Sequence, residues 1–213
     1  MNMDMGSASV NSGAGGWWRS YAGVLSDWVE PYFGLESAAE FIRGFEVQSI
    51  PGLLQTENYA REQIKLGEAA TEDAIDRRTR ARIIRQDILR RENPVKLWAV
   101  IDEGALRRPI GGASVMREQI QHLIDMAAHP AVTLQILPFA VGGHRALGGP
   151  FTILGLPGQG PRAVVYLEQL SGAEYLGDTA AVDGYVKVMD QLTGSARPPA
   201  DTPGLLAGIL AGI

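Results

Sequence analysis

Apolar residues recur along this chain in blocks that predict a definite order of helices and strands. Trp17, Trp18, Tyr21, Val24, Leu25, Trp28, Val29, Tyr32 and Phe33 return at three- and four-residue spacing, which predicts an amphipathic helix with a heavily aromatic face. Pro31 ends or kinks that helix. Residues 35–50 predict a helical turn and then a strand around Ile42 to Ile50, closed by the turn signal Pro51-Gly52. Leu53 to Leu66 reads as a helix with Leu54, Tyr59 and Ile64 among its apolar positions. Thr71 caps a further helix, from about Glu72 to Glu92, which stops before Asn93-Pro94 because a residue preceding proline is biased away from helical geometry.

The second half of the chain alternates differently. Val95 to Ile101, VKLWAVI, is dense in β-branched and aromatic residues and predicts a buried strand. Asp102 to Ile110 is a connection, and Gly112 or Ser114 opens a helix through about Ala128 with Val115, Ile120, Leu123, Ile124 and Ala127 inward. Three short strands follow, Val132–Leu137, Phe151–Leu156 and Ala163–Leu167, separated by the turn-forming stretches GGHRALGGP and PGQGP. Asp178 or Thr179 begins the last long helix, reaching about Leu192. Residues 1–16 carry no periodicity and read as a flexible lead-in, and the stretch TGSARPPADTPG makes the tail over 194–213 linker-like. This order predicts an α+β body over 17–193: a mixed sheet of about five short strands packed with four to five helices.

Composition narrows the chemistry. The 213 residues are 46% hydrophobic, enough to bury a core and to exclude disorder of the whole chain. There is no cysteine, which excludes disulfides, thiolate metal sites and a cysteine nucleophile. Three histidines leave little for a histidine metal site, so no metal or other cofactor is expected. The net charge of −5 disfavours nucleic acid unless positive charge is gathered locally. The start has neither a cationic nor an apolar leader region and no apolar run approaches about 18 residues, so a cytoplasmic chain without membrane attachment is expected.

Four groupings bear on function. Sixteen of the nineteen basic residues are arginine, and seven of them, Arg77, Arg78, Arg80, Arg82, Arg85, Arg90 and Arg91, sit in the helix RRTRARIIRQDILRR. Arg77, Arg78 and Arg85 fall inside its apolar arc, which points first to buried pairing with carboxylates, then to a ligand anion, and last to nucleic acid. Asp102-Glu103 closes the strand VKLWAVI, a place suited to a cleft residue; the alternative is that both answer arginines of the neighbouring helix. His144 lies in the glycine-rich loop GGHRALGGPF, which is not a phosphate-binding pattern but could carry a proton. Trp17, Trp18, Tyr21 and Trp28 either clamp the body or wall a pocket.

The segments GWWRSY, YFGLESAAEFIRGFEVQSIPGLLQTENYAR, RIIRQDIL, LWAVIDEGALRRPIGGASVMREQIQHL, VTLQILPFAVGGHRALGGPFTIL and VVYLEQLSGAEYLGD, in this order, resemble the DUF5753 domain of actinobacterial Scr1-family, antitoxin-like XRE-type regulators, over about residues 16–193. The resemblance implies the sensing or partner-binding half of a transcriptional regulator, with small DUF397-type proteins as partners. Its motifs fall on Glu46, Pro51, Gly52, Leu53, Leu54, Gln55, Thr56 and Tyr59; on Arg82, Arg85 and Gln86; on Asp102, Glu103, Leu106 and Arg107; on His144, Gly149, Pro150 and Phe151; and on Glu168, Gly172 and Tyr175. The helix-turn-helix head of that family has no counterpart here, since sixteen lead-in residues cannot make a three-helix DNA reader. The expectation is therefore a headless regulator-type domain that binds a small molecule or a small protein partner and not DNA by itself, with a homodimer left open. Its site is expected between the PGLLQTENY helix, the end of strand Val95–Ile101 and the 142–151 loop. Arg82, Arg85 and Asp102 would bind the ligand, and Trp17, Trp18 and Tyr59 would wall it. The alternative is a recruited, cofactor-independent cyclase or isomerase of specialised metabolism, with His144 or Glu103 as acid or base and an arginine stabilising developing negative charge.

Overall fold

The computed structural model describes residues 16–21, 23–26, 28–67, 71–158 and 162–213. Gly16 apart, the lead-in expected over 1–16 lies outside the described residues, as do three residues of the PGQGP turn. The strands are β1 (Phe41–Glu46), β2 (Lys96–Asp102), β3 (Val132–Leu137), β4 (Phe151–Gly155), β5 (Ala163–Gln169) and β6 (Gly172–Leu176). The helices are α1 (Glu30–Ala38), α2 (Glu57–Lys65), α3 (Glu72–Ile84), α4 (Glu103–Arg107), α5 (Gly112–Ala127), α6 (Thr179–Ser195) and α7 (Thr202–Ala211). The fold is α+β with one mixed sheet, as expected. Among the described residues it has six strands and seven α-helices, more than the sequence pattern gave.

The sheet runs β3-β2-β1-β4-β5-β6. β1, β2 and β3 are parallel and joined by helical crossovers, whereas β4, β5 and β6 form an antiparallel meander beside β1. Alternation sorts the side chains onto two faces. Ile42, Leu97, Ala99, Ile101, Leu134, Ile136, Leu154 and Tyr166 pack with Leu54, Tyr59, Leu106, Met116, Ile120, Leu123 and Leu206 in the larger core. Phe45, Val100, Leu137, Ile153 and Val165 turn the other way, against Met189 and Leu192 of α6.

The structure corrects several expected elements. The continuous aromatic helix from Trp17 is instead a short 3-10 turn, Trp17–Tyr21, followed after a break by α1. Pro31 opens α1 rather than ending a helix, because in the first helical turn its missing N–H is no loss. The strand expected to reach Ile50 ends at Glu46. The helix expected to run to Glu92 is α3, capped by the Thr71 hydroxyl, and then a 3-10 turn over Arg85–Leu89. The connection after Asp102 contains α4, capped by the Asp102 carboxylate. β6 is not among the expected strands: β5 turns polar at Glu168-Gln169, and the two strands close through a tight hairpin. The tail over 194–213 is not a linker: α6 runs to Ser195 and α7 buries Leu206 completely in the larger core. Thr202 anchors that helix by donating its hydroxyl to the Leu134 carbonyl at 2.7 Å. Gly204 and Gly208 lower its helix propensity, and packing overrides them.

Candidate functional site

On the larger-core face of the sheet, beneath β1, β4 and β5, the helices do not fill the space, and a cleft of about 690 Å³ remains. Its sheet side carries Ile42, Gly44, Glu46, Leu97, Ala99, Thr152, Tyr166 and Glu168. Its other walls come from Val24, Leu25, Ser26, Trp28 and Val29, from Tyr32 and Phe33 of α1, from the turn at 48–55, and from Arg78, Arg82 and Arg85. The opening follows from the sequence of β1. A Cβ added at Gly44 would meet Thr152 Oγ1 at 3.7 Å and the Phe151 carbonyl oxygen at 3.9 Å, both ordinary contacts, so the sheet does not require a glycine there. Glycine weakens a strand interior, and what this one supplies is empty volume over the sheet.

One wall is held by a buried ion pair. Arg85 donates from Nε to Glu36 Oε2 at 2.9 Å and from Nη2 to Glu36 Oε1 at 2.8 Å, while the Tyr32 hydroxyl donates to the same Oε1 at 2.9 Å. Glu36 is 1% exposed and Arg85 9%. The guanidinium also lies over the rings of Tyr32 and Phe33, at 5.4 and 5.1 Å from their centroids. Burial works against its charge, but the Glu36 carboxylate more than offsets that and holds Arg85 charged above its ordinary value. Tyr32 stacks on Tyr166 at 4.4 Å between centroids, and Tyr166 on Tyr175 at 5.2 Å. Burial raises the phenol of each of the three, to about 12 for Tyr175.

The glutamines fix the turn at 50–55. Gln86 donates to the Gly52 and Gln55 carbonyls, Gln55 donates to the Ile50 carbonyl at 2.7 Å, and Gln119 donates to the Leu54 carbonyl at 2.7 Å. Gly52 is closely packed here: a Cβ would come within 3.1 Å of the Arg85 guanidinium, which would have to shift by a few tenths of an ångström. Arg82 reaches the cleft from α3, where Nη1 donates to Gln55 Oε1 at 3.1 Å and to Gln63 Oε1 at 2.9 Å. Among the described residues no carboxylate forms an ion pair with it. Burial, and then the charge of Arg85, lower its pKa to about 10, so it stays charged at neutral pH.

Glu46 faces Arg82 from the end of β1. Burial, reinforced by the nearby charge of Glu168, raises its carboxyl from 4.5 to about 8. At neutral pH it is therefore mostly protonated. The cleft thus sets a neutral carboxyl, a charged guanidinium, a rim carboxylate and stacked phenols around an apolar floor.

Of the residues expected from sequence, Arg82 and Arg85 are in the cleft, Arg85 through a buried pair of the expected kind. Tyr59 lies behind the wall, fully buried, with its hydroxyl accepting from the Ile50 N–H at 3.2 Å. Trp17 and Trp18 clamp the body, Trp17 against Phe33 at 5.3 Å; the tryptophan that lines the cleft is Trp28. Asp102, Glu103 and His144 are not among the lining residues. Asp102 caps α4 by accepting from the Gly104 N–H. Glu103 accepts from the Phe139 N–H at 3.0 Å and pairs with Arg107 of its own helix at 2.7 Å, so it does not answer the arginines of α3. Burial is outweighed by these two bonds, which hold its carboxyl below the usual range. His144 stands edge-on to Phe45, on the opposite face of the sheet, with Nδ1 accepting from the Ala146 N–H. Arg77, Arg78 and Arg91 donate to backbone carbonyls, Arg78 to that of Val24 at 2.5 Å.

Sequence reasoning passed over Glu46, Glu36, Gln55, Gln63, Glu168, Tyr32 and Tyr166 as site residues. Glu46 had a readable signal: in FIRGFE it shares the inward alternation of Ile42, so a carboxylate stands on the buried side of a strand. Among the described residues, no three His, Asp or Glu side chains gather as a metal site, and no helix is long and apolar enough to cross a membrane.

Residues 29–208 match a domain of unknown function (DUF5753). No curated protein and no solved structure matches the chain.

Proposed function

The chain belongs to the DUF5753 family over most of its length, and from that premise and its cleft we propose that it is a small-molecule-binding domain whose ligand sits between β1 and the helices α1 and α3. One observation carries this reading. A cleft of about 690 Å³ brings polar and charged groups, among them Glu46, Arg82 and Glu168, together with apolar and aromatic side chains, so a ligand there would meet both polar anchors and an apolar surface. A sensing half of an actinobacterial regulator of the Scr1 type would need such a pocket. A small DUF397-type protein as partner rests on the resemblance alone.

The test is native mass spectrometry of the purified protein and of Gly44→Leu, which fills the cleft floor without removing a polar group. A small molecule retained or captured by the wild type and lost from Gly44→Leu is the expected result. A ligand that binds both equally would refute the reading.

A second reading is favoured by the Glu46 carboxyl, which keeps its proton near neutral pH beside a charged arginine. That is the equipment of a general acid, with Arg82 stabilising an oxyanion, in a cofactor-independent cyclase or isomerase. Turnover falling as pH rises through about 8, and lost in Glu46→Gln, is its signature.

A further inference from the structure

Arg82 poses a question that the rest of the cleft does not. Arg85, on the turn that follows, is neutralised by Glu36. Arg82 is instead oriented by two neutral oxygens, those of Gln55 and Gln63, and Gln63 is fixed in turn by accepting from the Gln55 amide at 2.7 Å. Those bonds use only Nη1. Among the described residues, Nε and Nη2 have no protein partner, and Arg82 lines the cleft. A guanidinium held rigidly by neutral groups, with part of its fork unspent, is prepared for an oxyanion.

The surroundings favour the same chemistry. Beside it stands Glu46, whose burial favours the neutral acid and thus a hydrogen-bond donor. Beyond both lie the rings of Tyr32 and Tyr166 and the side chains of Ile42 and Leu97. We propose that the ligand of this cleft is an organic anion: a carboxylate or similar oxyanion bound by Arg82 and Glu46, carrying a flat apolar body that packs on Tyr32 and Tyr166. This deepens the small-molecule reading above and rests on it.

Four groups on three other elements face Glu46: Glu168 on β5, Arg82 on α3 with Arg85 after it, and Tyr59 on α2. Binding an anion beside Glu46 raises the cost of ionising it, so binding takes up a proton and weakens as pH climbs above about 8. A cationic ligand would do the reverse.

Two dyes that share a body make the test. 8-Anilinonaphthalene-1-sulfonate is the anion, and N-phenyl-1-naphthylamine is the same ring system without the sulfonate. Fluorescence titrations use the full chain, wild type, Arg82→Gln, Arg82→Lys, Glu46→Gln and Gly44→Leu, with circular dichroism confirming that each is folded. The wild type is expected to prefer the anionic dye by roughly tenfold or more, and Arg82→Gln to erase that preference while leaving the neutral dye unaffected. Arg82→Lys, which keeps the charge without the fork, restores part of it. Glu46→Gln removes the weakening between neutral and alkaline pH.

Equal affinity for the two dyes, or a preference unchanged in Arg82→Gln, overturns the anion proposal and leaves the cleft reading standing. Binding of both dyes that Gly44→Leu does not weaken, or binding of neither dye by the wild type, overturns the cleft reading itself.

Discussion

Replacing Glu46 by glutamine is expected to stabilise the protein, and by more as the solution becomes alkaline. Glutamine keeps the size and hydrogen-bonding capacity of the protonated acid and removes the option to ionise. In the unfolded chain the Glu46 carboxyl ionises at its ordinary value of 4.5, whereas in the fold burial and Glu168 delay this to about 8. Below 4.5 both states are protonated and the carboxyl costs nothing. Above it the unfolded chain gains by ionising while the fold does not, so stability falls until about 8 and then levels off. At about 1.4 kcal/mol per pH unit the whole gap is worth about 5 kcal/mol. Glu46 is only partly buried and lines an open cleft, so screening is expected to leave about 2–3 kcal/mol. Urea unfolding of wild type and Glu46→Gln at several pH values between about 4.5 and about 9, compared at equal m, measures the difference. The two proteins are expected to coincide at the acid end and to diverge by about 2 kcal/mol or more by pH about 8. Parallel curves, or a variant less stable than wild type at the alkaline end, would falsify the claim that Glu46 is held protonated by its surroundings.

Other perturbations test the frame around it. Glu36→Gln leaves Arg85 charged and buried without its carboxylate, and calorimetry is expected to show a loss of about 3–5 kcal/mol. Leu206→Ala is expected to cost about 2–5 kcal/mol in chemical denaturation, where a linker residue would cost less than about 0.5 kcal/mol. Glu103→Gln weakens the tie to the Phe139 N–H and is expected to lower stability by about 1 kcal/mol while leaving dye binding in the cleft unaltered. His144→Ala, on the other face of the sheet, is likewise expected to leave dye titrations unchanged; a shift of either dye's affinity would place His144 in the binding site.

The sequence carried the elements whose signals are local. β2 and β3 show as dense β-branched runs, the caps Thr71 and Asp178 stand where their helices begin, and α5 follows its apolar stripe. What escaped depends on partners distant in the chain. α7 is a poor helix former that exists because Leu206 has a socket between α5 and β3. β6 is five residues with mixed polarity, ordered by pairing with β5 and by Tyr175 donating its hydroxyl to the Trp28 carbonyl at 2.6 Å. Pro31 was misread because proline both breaks helices and starts them, and only its position relative to the cap decides which.

The site was half legible for a related reason. The arginines stood out by number, but of the three inside the apolar arc only Arg85 is buried against a carboxylate, whereas Arg77 and Arg78 donate to backbone carbonyls. Which of the three cleft arginines keeps its charge without a paired carboxylate depends on Glu36, which sits 49 residues before Arg85 and neutralises that one alone. Chemistry-bearing residue types drew attention to His144 and Glu103, yet both accept from backbone N–H groups, His144 from Ala146 in its own loop and Glu103 from Phe139 after β3. Glu46 looked ordinary in a list of motif residues. Its importance lies in a contradiction visible in β1 alone: a strand that turns Ile42, then Gly44, then Glu46 toward its core puts a void and a carboxylate where side-chain bulk belongs. Neither helps the fold. A strand interior that gives up packing at Gly44 and then buries an ionisable group two residues on is costly twice over, and both costs fall at the mouth of one cleft. That coincidence, more than the count of arginines, is the reason for proposing a ligand at the end of β1.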